Sequence, residues 1–293
     1  MTPRNSSGFN VKTIECELEV DDIPFLVLKM ATGVYNTKSL VKNYVRYRPS
    51  YPQQLFEDII QYCHEDPRSG DTLAVDLGCG TGLSTLPLSR HFQSVIGIDS
   101  SVEQLSRAPK SIDNTRFTVG DAENTGIASG SVDLVTVGTA LHWMDTTKVQ
   151  QEIRRVLRPN GTVAIYTLCG LNLENPEDNK ALQHFLMVDL KDYWGVDFEY
   201  QLNILDKIEF PFDHRKKIYT RTIDDMSFDG LFGLLNTYSA VINLKQQNPE
   251  STLMEELKET LKMNKTDGQE QRIKQYIPIK MMMGKMKKCI RQQ

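Results

Sequence analysis

The chain has 293 residues, with 34 Lys and Arg against 38 Asp and Glu, so its formal net charge is −4. This length fits one large α/β domain with insertions, and the mildly acidic balance offers no global positive field for a polyanion such as nucleic acid. The five cysteines lie far apart without a C-x-x-C pair. They predict neither a disulfide framework nor a metal site, and they favour a reducing compartment, the cytoplasm.

Residues 1–40 form an N-terminal extension to a single predicted domain, 41–293. The first apolar run of the extension, 23–28, is short, follows acidic residues and ends at Lys29. Such a run is too short to span a membrane and lacks the basic flank of a signal peptide. We therefore expect a strand or helix packed on the domain, and no membrane span.

From residue 72, short β-branched runs alternate with segments of helical periodicity, which is typical of a parallel sheet covered by helices. Strands are predicted at 72–77, 94–99, 115–120, 132–138 and 161–167. Helices are predicted near 83–91, 102–108 and 147–157, the last ended by Pro159 and the following Asn-Gly. The sequence thus predicts a Rossmann-like, doubly wound α/β core over 72–167.

The regular alternation ends after residue 167, and 168–263 is predicted to supply a helical cap and substrate-binding elements. It contains an aromatic-rich segment and two helical stretches, 228–245 and 250–263. Two strand-like runs, 216–222 and 276–284, are expected to complete a mostly parallel, seven-stranded sheet. Beyond the last strand, a basic tail extends to residue 293; a charged end without function is a commoner explanation for it than recruitment of an acidic surface.

A glycine-rich stretch, VDLGCGTG, follows the first predicted strand and contains Gly78, Gly80 and Gly82. Its G-x-G-x-G spacing departs from the dinucleotide-binding G-x-G-x-x-G, and it lacks the Lys of a phosphate-binding P-loop. Asp99, at the end of the second strand, is placed to accept hydrogen bonds from two ribose hydroxyls. Asp121, after the third strand, is placed to accept from the exocyclic amine of an adenine. The sequence therefore predicts an adenosine-containing ligand.

Four motifs taken together resemble the class I S-adenosylmethionine-dependent methyltransferases: VDLGCGTG, GID, GDAEN and LRPNGTVAIY. This resemblance covers about residues 44–166. Within that superfamily, YVRYRPSYP, TALHWMD and TYSAV look like the small-molecule branch that includes trans-aconitate methyltransferases. The resemblance implies an enzyme that transfers a methyl group from S-adenosylmethionine.

The resemblance also implies roles for individual residues. The three glycines would let the backbone approach the methionine part of the cofactor. Asp76 would support the loop and the amino end of the cofactor. Asp99 would hold both ribose hydroxyls, and Asp121 with Ala122 would contact the adenine.

Five residues are candidates for the acceptor side of the site. His142 and Trp143 follow the fourth strand, where methyltransferases place residues that face the methyl group. Trp143 is interpreted as pocket wall, and His142 either packs under the cap or takes a proton from a hydroxyl or amine acceptor. Arg46, Arg48 and Arg221 either clamp a carboxylate bidentately or, for the first two, form a solvated basic face.

Methyl transfer from a sulfonium is an in-line displacement, so the protein mainly aligns the reacting atoms in a dry pocket, and no metal is required. A carboxylate acceptor is ionised at neutral pH and needs no base. We therefore predict a small-molecule acceptor, with a polycarboxylate methylated on oxygen as one candidate. A protein or RNA methyltransferase is disfavoured because GTALHW stands where an Asn-Pro-Pro-aromatic run is common. A nicotinamide oxidoreductase is disfavoured by the glycine spacing, and a binding module without catalysis remains an alternative.

Overall fold

A computed structural model of the chain describes residues 46–48, 50–65, 71–263 and 272–286. Within these ranges, only the backbone is described for 213–218, 220–225 and 263. The predicted extension 1–40 and the basic tail from residue 287 lie outside the described residues. No helix in the described ranges is long and apolar enough to cross a membrane.

Helices and strands alternate through the first half of the described chain. In chain order the elements are α1 Gln53–His64, β1 Leu73–Leu77, α2 Thr85–Leu88, β2 Ser94–Asp99, α3 Val102–Leu105, β3 Thr115–Val119, β4 Val132–Gly138, α4 Thr146–Val156, β5 Leu157–Leu168, β6 Asn172–Leu173, α5 Pro176–His184, α6 Phe198–Lys207, β7 Asp213–Ser227, α7 Phe228–Leu235, α8 Ser239–Gln247, α9 Leu253–Met263 and β8 Arg272–Lys285. Three short segments supplement them: the 3-10 turns Leu141–Trp143 and Lys191–Tyr193, and the π-helical turn Phe185–Asp189.

One sheet contains all the described strands, in the order β3-β2-β1-β4-β5-β8-β6, with β7 also paired to β8. β1 to β5 are parallel, whereas β8 is antiparallel to β5, β6 and β7. The prediction of a Rossmann-like, doubly wound and mostly parallel sheet is confirmed. The sheet has eight strands rather than seven because β6 was not predicted; its two residues are too few for an alternating pattern, and they form a strand by pairing with Gln275 and Tyr276.

Alternate residues of the central strands pack on opposite faces of the sheet. In β4, Val135 and Val137 belong to one buried cluster with Ile153 of α4. Leu134 of the same strand belongs to a second cluster with Leu55 of α1. Both faces are covered, which explains why the strands read as nearly continuous apolar runs.

A third buried cluster forms the helical cap. It joins side chains of α5, α7, α8 and α9 to Ile273 and Ile277 of β8. The cap therefore packs on the antiparallel end of the sheet.

The start of β5 differs from the prediction. β5 begins at Leu157 instead of 161, because Leu157 pairs with Val132 before an irregularity in the register. Asn160 lies within this irregularity with φ 65°. α4 ends at Val156, one residue before the predicted end, and the residues 159–161 that were predicted to stop it lie within the irregular start of β5.

The predicted helix 228–245 is two helices, α7 and α8. Asn236 Nδ2 donates to the carbonyl of Phe232 (2.8 Å), and Thr237 Oγ1 donates to that of Leu234 (2.6 Å). Such side-chain bonds compete with helix continuation, and Tyr238 then has extended backbone. The break places Tyr238 on the wall of the cavity described next.

Candidate functional site

A cavity of about 600 Å³ lies between the carboxyl edge of the sheet and the cap. Gly78, Asp99 and Asp121 line it from the ends of three strands, and Trp194 and Tyr238 line it from the cap. This edge is where open α/β sheets bind ligands.

The glycine loop after β1 forms part of the cavity wall through Gly78 and Gly80. A Cβ on Gly78 would lie 2.5 Å from the Ala140 Cβ, so no side chain fits there. Gly80 has φ 56°, a left-handed conformation that side-chain-bearing residues rarely adopt. The missing side chain at Gly78 makes room for Ala140, and the backbone of both glycines faces the cavity that they line.

Gly82 does not line the cavity, in contrast to its predicted place in the cofactor site. A Cβ at this position would lie 2.8 Å from the Phe117 ring of β3. Gly82 lets the loop pack closely against the sheet and acts on the site only through the loop.

Asp76 lies beneath the loop and is fully buried. Its carboxylate accepts from Ser84 Oγ (2.7 Å), Thr85 Oγ1 (2.6 Å) and Thr136 Oγ1 (2.7 Å). Burial raises the pKa of Asp76, and the three hydroxyl bonds oppose that rise. The predicted support of the loop matches this geometry. Asp76 is not among the described residues that line the cavity, and its predicted contact with the amino end of the cofactor stays a prediction.

We expect Asp76→Ala to lower the free energy of unfolding by about 3 kcal/mol, because it leaves three buried hydroxyls without their acceptor. Urea unfolding followed by circular dichroism measures the change. An unchanged midpoint combined with lost ligand binding would show instead that Asp76 contacts the ligand directly.

Asp99 lines the cavity at the end of β2. Its Oδ2 accepts from the Gly80 amide and its Oδ1 from the Ser101 amide, both at 2.8 Å. Burial raises the pKa of Asp99 despite these two bonds. Each carboxylate oxygen has a further lone pair, so the fixed side chain retains acceptor capacity for ligand hydroxyls.

Asp121 and Ala122 line the cavity after β3, as does Glu123, which the sequence analysis did not single out. Glu123 Oε1 accepts from the Asp145 amide at 2.8 Å. Burial, together with a hydrogen bond to the Asp121 carboxylate, raises the pKa of Glu123 to about 7. The site thus has a pair of neighbouring carboxyl groups where the sequence indicated one.

The loop that carries Asp121 and Ala122 is tied to α4. The Thr125 amide and Oγ1 donate to Glu152 Oε1 at 2.8 and 2.6 Å. Arg155 donates to both oxygens of Glu152 at 2.7 Å, and this interaction holds the pKa of Glu152 down to about 2. The ionised Glu152 therefore fixes the loop at the edge of the cavity.

His142 lies in the 3-10 turn after β4, lines the cavity and is 7% exposed. Its Nδ1 is buried without a hydrogen-bond partner among the described residues. Burial, and then the charge of Arg48, lower the pKa of His142 to about 3. The imidazole is neutral near pH 7 and is a weak base. Trp143 also lines the cavity, with its ring 4.8 Å from that of His142.

The three candidate arginines have different positions. Arg48 lines the cavity; its Nε donates to Thr237 Oγ1 (2.9 Å) and its Nη2 to the Thr237 carbonyl (3.2 Å). Arg46 is exposed outside the cavity and stacks over the Tyr47 ring at 5.2 Å. Of the two alternatives for Arg46, this position matches the solvated basic face, and Tyr47 takes the inward position against α7. For Arg221 the structure describes only the backbone, paired with Pro278.

Four further side chains of the acceptor side were not among the predicted site residues: Tyr51, Thr139, Trp194 and Phe198. The Tyr51 hydroxyl donates to Thr139 Oγ1 at 3.0 Å. Thr139 has φ 51°, a conformation uncommon for a β-branched residue and typical of functional sites. The sequence does carry a signal for Thr139: it directly follows the fourth predicted strand and is the first residue of the motif TALHWMD.

The residues present fit an adenosine-containing ligand such as S-adenosylmethionine. Gln104 lines the cavity beside Gly80, and its Oε1 is buried without a hydrogen-bond partner among the described residues. A ribose hydroxyl or an adenine amine would supply that partner. Asp99 provides further acceptor capacity, and the glycine loop provides open backbone. The sheet topology and this cavity therefore agree with the class of protein that the sequence resembles, the class I S-adenosylmethionine-dependent methyltransferases.

Comparisons with known proteins also indicate a methyltransferase. Residues 75–165 match the model of a methyltransferase-domain family. A Dictyostelium discoideum protein named as a methyltransferase is 29% identical over 252 residues, which cover 84% of this chain and 93% of that protein. The Saccharomyces cerevisiae protein CRG1, named as an S-adenosylmethionine-dependent methyltransferase, is 35% identical over 46% of this chain and 47% of its own length. The chain thus matches about half the length of this yeast relative.

A solved structure from Anaeromyxobacter dehalogenans, described as a type II methyltransferase, has the same fold. The TM-score is 0.70 at 24% identity, over 82% of this chain and 99% of that chain. The domain match and the named relatives support an enzyme with methyltransferase activity, and the residues of the cavity fit S-adenosylmethionine as its cofactor. They do not confirm the resemblance to the trans-aconitate branch.

Proposed function

We propose that the enzyme methylates a small-molecule acceptor on a carboxylate oxygen. The observation that carries this proposal is Arg48, whose guanidinium lies on the cavity wall and is oriented by Thr237. Guanidinium groups bind carboxylates through charge-assisted hydrogen bonds, which are stronger than neutral ones. Arg48 would hold the acceptor by its carboxylate at the cap side of the cavity.

The weak basicity of His142 supports the same acceptor class. A hydroxyl or amine acceptor requires a group with a pKa near the working pH to remove its proton, whereas the pKa of His142 is about 3. A carboxylate is already ionised at neutral pH and loses no proton. His142 then acts as a neutral wall or hydrogen-bonding group.

S-adenosylmethionine supplies a methyl group on a positively charged sulfur. In the proposed mechanism, the glycine loop, Asp99 and the Asp121–Ala122 segment bind and orient it. Arg48 orients the acceptor, and the cap side chains exclude water. Alignment in a dry cavity is the main requirement of an in-line displacement.

A hydroxyl or amine acceptor is the second candidate. It is favoured by the buried, unpartnered Nδ1 of His142, which could accept a hydrogen bond from such a group. In this case His142 would take the proton, and turnover would depend on that imidazole.

Incubation of the enzyme with methyl-labelled S-adenosylmethionine and a mixture of small acids tests the proposal. We expect release of S-adenosylhomocysteine and a labelled product that alkali converts to methanol, because esters hydrolyse whereas methyl ethers and methylamines do not. An alkali-stable small product would favour the second candidate. Label found only in macromolecules of a cell extract would contradict the small-molecule assignment.

A further inference from the structure

A row of aromatic rings extends from Arg48 along the cavity wall. The Arg48 guanidinium carbon lies 4.9 Å from the Tyr238 ring centroid. The Tyr238 ring lies 6.0 Å from that of Trp194, and Trp194 stacks on Phe198 at 4.1 Å with 12° between their planes. All four side chains line the cavity. The row therefore has one charged end and a flat, apolar remainder.

The rings of this aromatic row are held in place before any ligand binds. Trp194 Nε1 donates to the Leu186 carbonyl at 2.9 Å. Tyr238 is 8% exposed and lies at the break between α7 and α8. Trp194 and Phe198 also pack against the buried cluster of the cap. A preformed apolar surface with one polar anchor is typical of small-molecule sites.

The charges around the cavity limit how many carboxylates a ligand can carry. Among the described residues that line it, the lysines and arginines are Arg48 and Lys148, and Lys148 forms an ion pair with Asp145 at 3.1 Å. Four acidic residues line the same cavity: Asp99, Asp121, Glu123 and Asp145. Among the described lining residues, no lysine or arginine besides Arg48 and Lys148 could pair with a second or third carboxylate of the acceptor, and unpaired charges in a desolvated site are costly.

We infer that the acceptor has a single carboxylate attached to a flat, apolar body, which lies along the row formed by Tyr238, Trp194 and Phe198. This inference rests on the proposed function and narrows its substrate class. It disfavours the polycarboxylate that the sequence resemblance indicated. Aromatic rings stack well on flat unsaturated groups, and burial of such a group also contributes hydrophobic stabilisation.

Initial rates of methyl ester formation from cinnamate and from trans-aconitate test the inference. Cinnamate has one carboxylate and a conjugated phenyl ring, whereas trans-aconitate has three carboxylates on a short chain. We expect kcat/KM to be more than about tenfold higher for cinnamate than for trans-aconitate. A factor of this size is typical of an apolar pocket that fits one substrate better than another.

Two variants probe the row directly. Trp194→Leu and Phe198→Leu are each expected to raise KM for cinnamate about tenfold, with little change in kcat. The reason is that each substitution removes contacts that stabilise the bound substrate and the transition state equally. The dissociation constant for S-adenosylhomocysteine, measured by calorimetry, should stay unchanged and report an intact fold. Val188→Ala is the matched control, since Val188 is an exposed residue of the same cap outside the cavity.

A preference for trans-aconitate, or an unchanged KM for cinnamate in both folded variants, would overturn the inference while leaving carboxylate methylation intact. If neither acid is methylated but the enzyme methylates a small hydroxyl or amine compound, both the proposed function and this inference are wrong.

Discussion

Replacement of Asp99 by alanine is expected to weaken cofactor binding by about a hundredfold or more. Two ribose hydroxyls donating to a charged carboxylate would contribute about 1.5–3 kcal/mol each, and about 1.4 kcal/mol corresponds to a factor of ten in affinity. The same substitution removes the acceptor of the Gly80 and Ser101 amides, which loosens the loop as well. Calorimetric titration with S-adenosylhomocysteine measures the dissociation constant.

Controls separate the two effects of this substitution. Asp99→Asn keeps one acceptor oxygen without the charge, so an intermediate loss is expected. Asp113→Ala should leave binding unchanged, because Asp113 is exposed and does not line the cavity. Because burial raises the pKa of Asp99, affinity should fall as the pH drops through that pKa and the carboxylate gains a proton. Unaltered affinity in a folded Asp99→Ala protein would show that the acid only supports the loop.

The parallel half of the sheet was predictable because each of its strands is a local apolar run. β2 and β4 have the predicted bounds, and β1 and β3 each differ by one residue. The two-residue β6 was not predictable, since only its pairing with β8 makes it a strand. The break at Tyr238 was also missed, because the apolar periodicity of 228–245 continues through it. Its cause is two side-chain hydrogen bonds, from Asn236 and Thr237, which periodicity does not show.

The sequence predicted the residues on the cofactor side of the cavity more completely than those on the acceptor side. The glycine loop, Asp99 and Asp121 each stand directly after a strand, and parallel strands bring their carboxyl ends to one edge. The acceptor side depends on contacts between distant segments: Arg48 and its partner Thr237 are separated by 189 positions. For the same reason the sequence could not decide between the two alternatives for Arg46, since nothing local distinguishes it from Arg48.

Arg48→Ala is expected to raise KM for the carboxylate acceptor between about tenfold and a hundredfold, because a charge-assisted hydrogen bond contributes about 1.5–3 kcal/mol. The cofactor dissociation constant should be unchanged, since Arg48 contacts Thr237 and Tyr238 on the cap side of the cavity. Arg48→Lys retains the positive charge but lacks the planar guanidinium that can donate two parallel hydrogen bonds to a carboxylate. We therefore expect a smaller rise in KM than in Arg48→Ala. Steady-state kinetics with cinnamate, monitored by release of S-adenosylhomocysteine, measures both variants.

His142→Ala completes the test of Arg48, because a hydroxyl or amine acceptor would need His142 as a base whereas a carboxylate acceptor would not. With a carboxylate acceptor, we expect kcat in this variant to fall less than about threefold, a change smaller than removal of a general base produces. Turnover of the unaltered enzyme should show no titration of His142 between about pH 6 and 8, since a carboxylate acceptor and arginine stay charged there and the pKa of His142 is about 3. A change near pH 7 that persists in His142→Ala would report Glu123, whose pKa is about 7. A hundredfold loss of kcat in His142→Ala, partly recovered at high pH, would identify His142 as a base. Arg48 would then be a structural contact of the cap, and the acceptor a hydroxyl or amine.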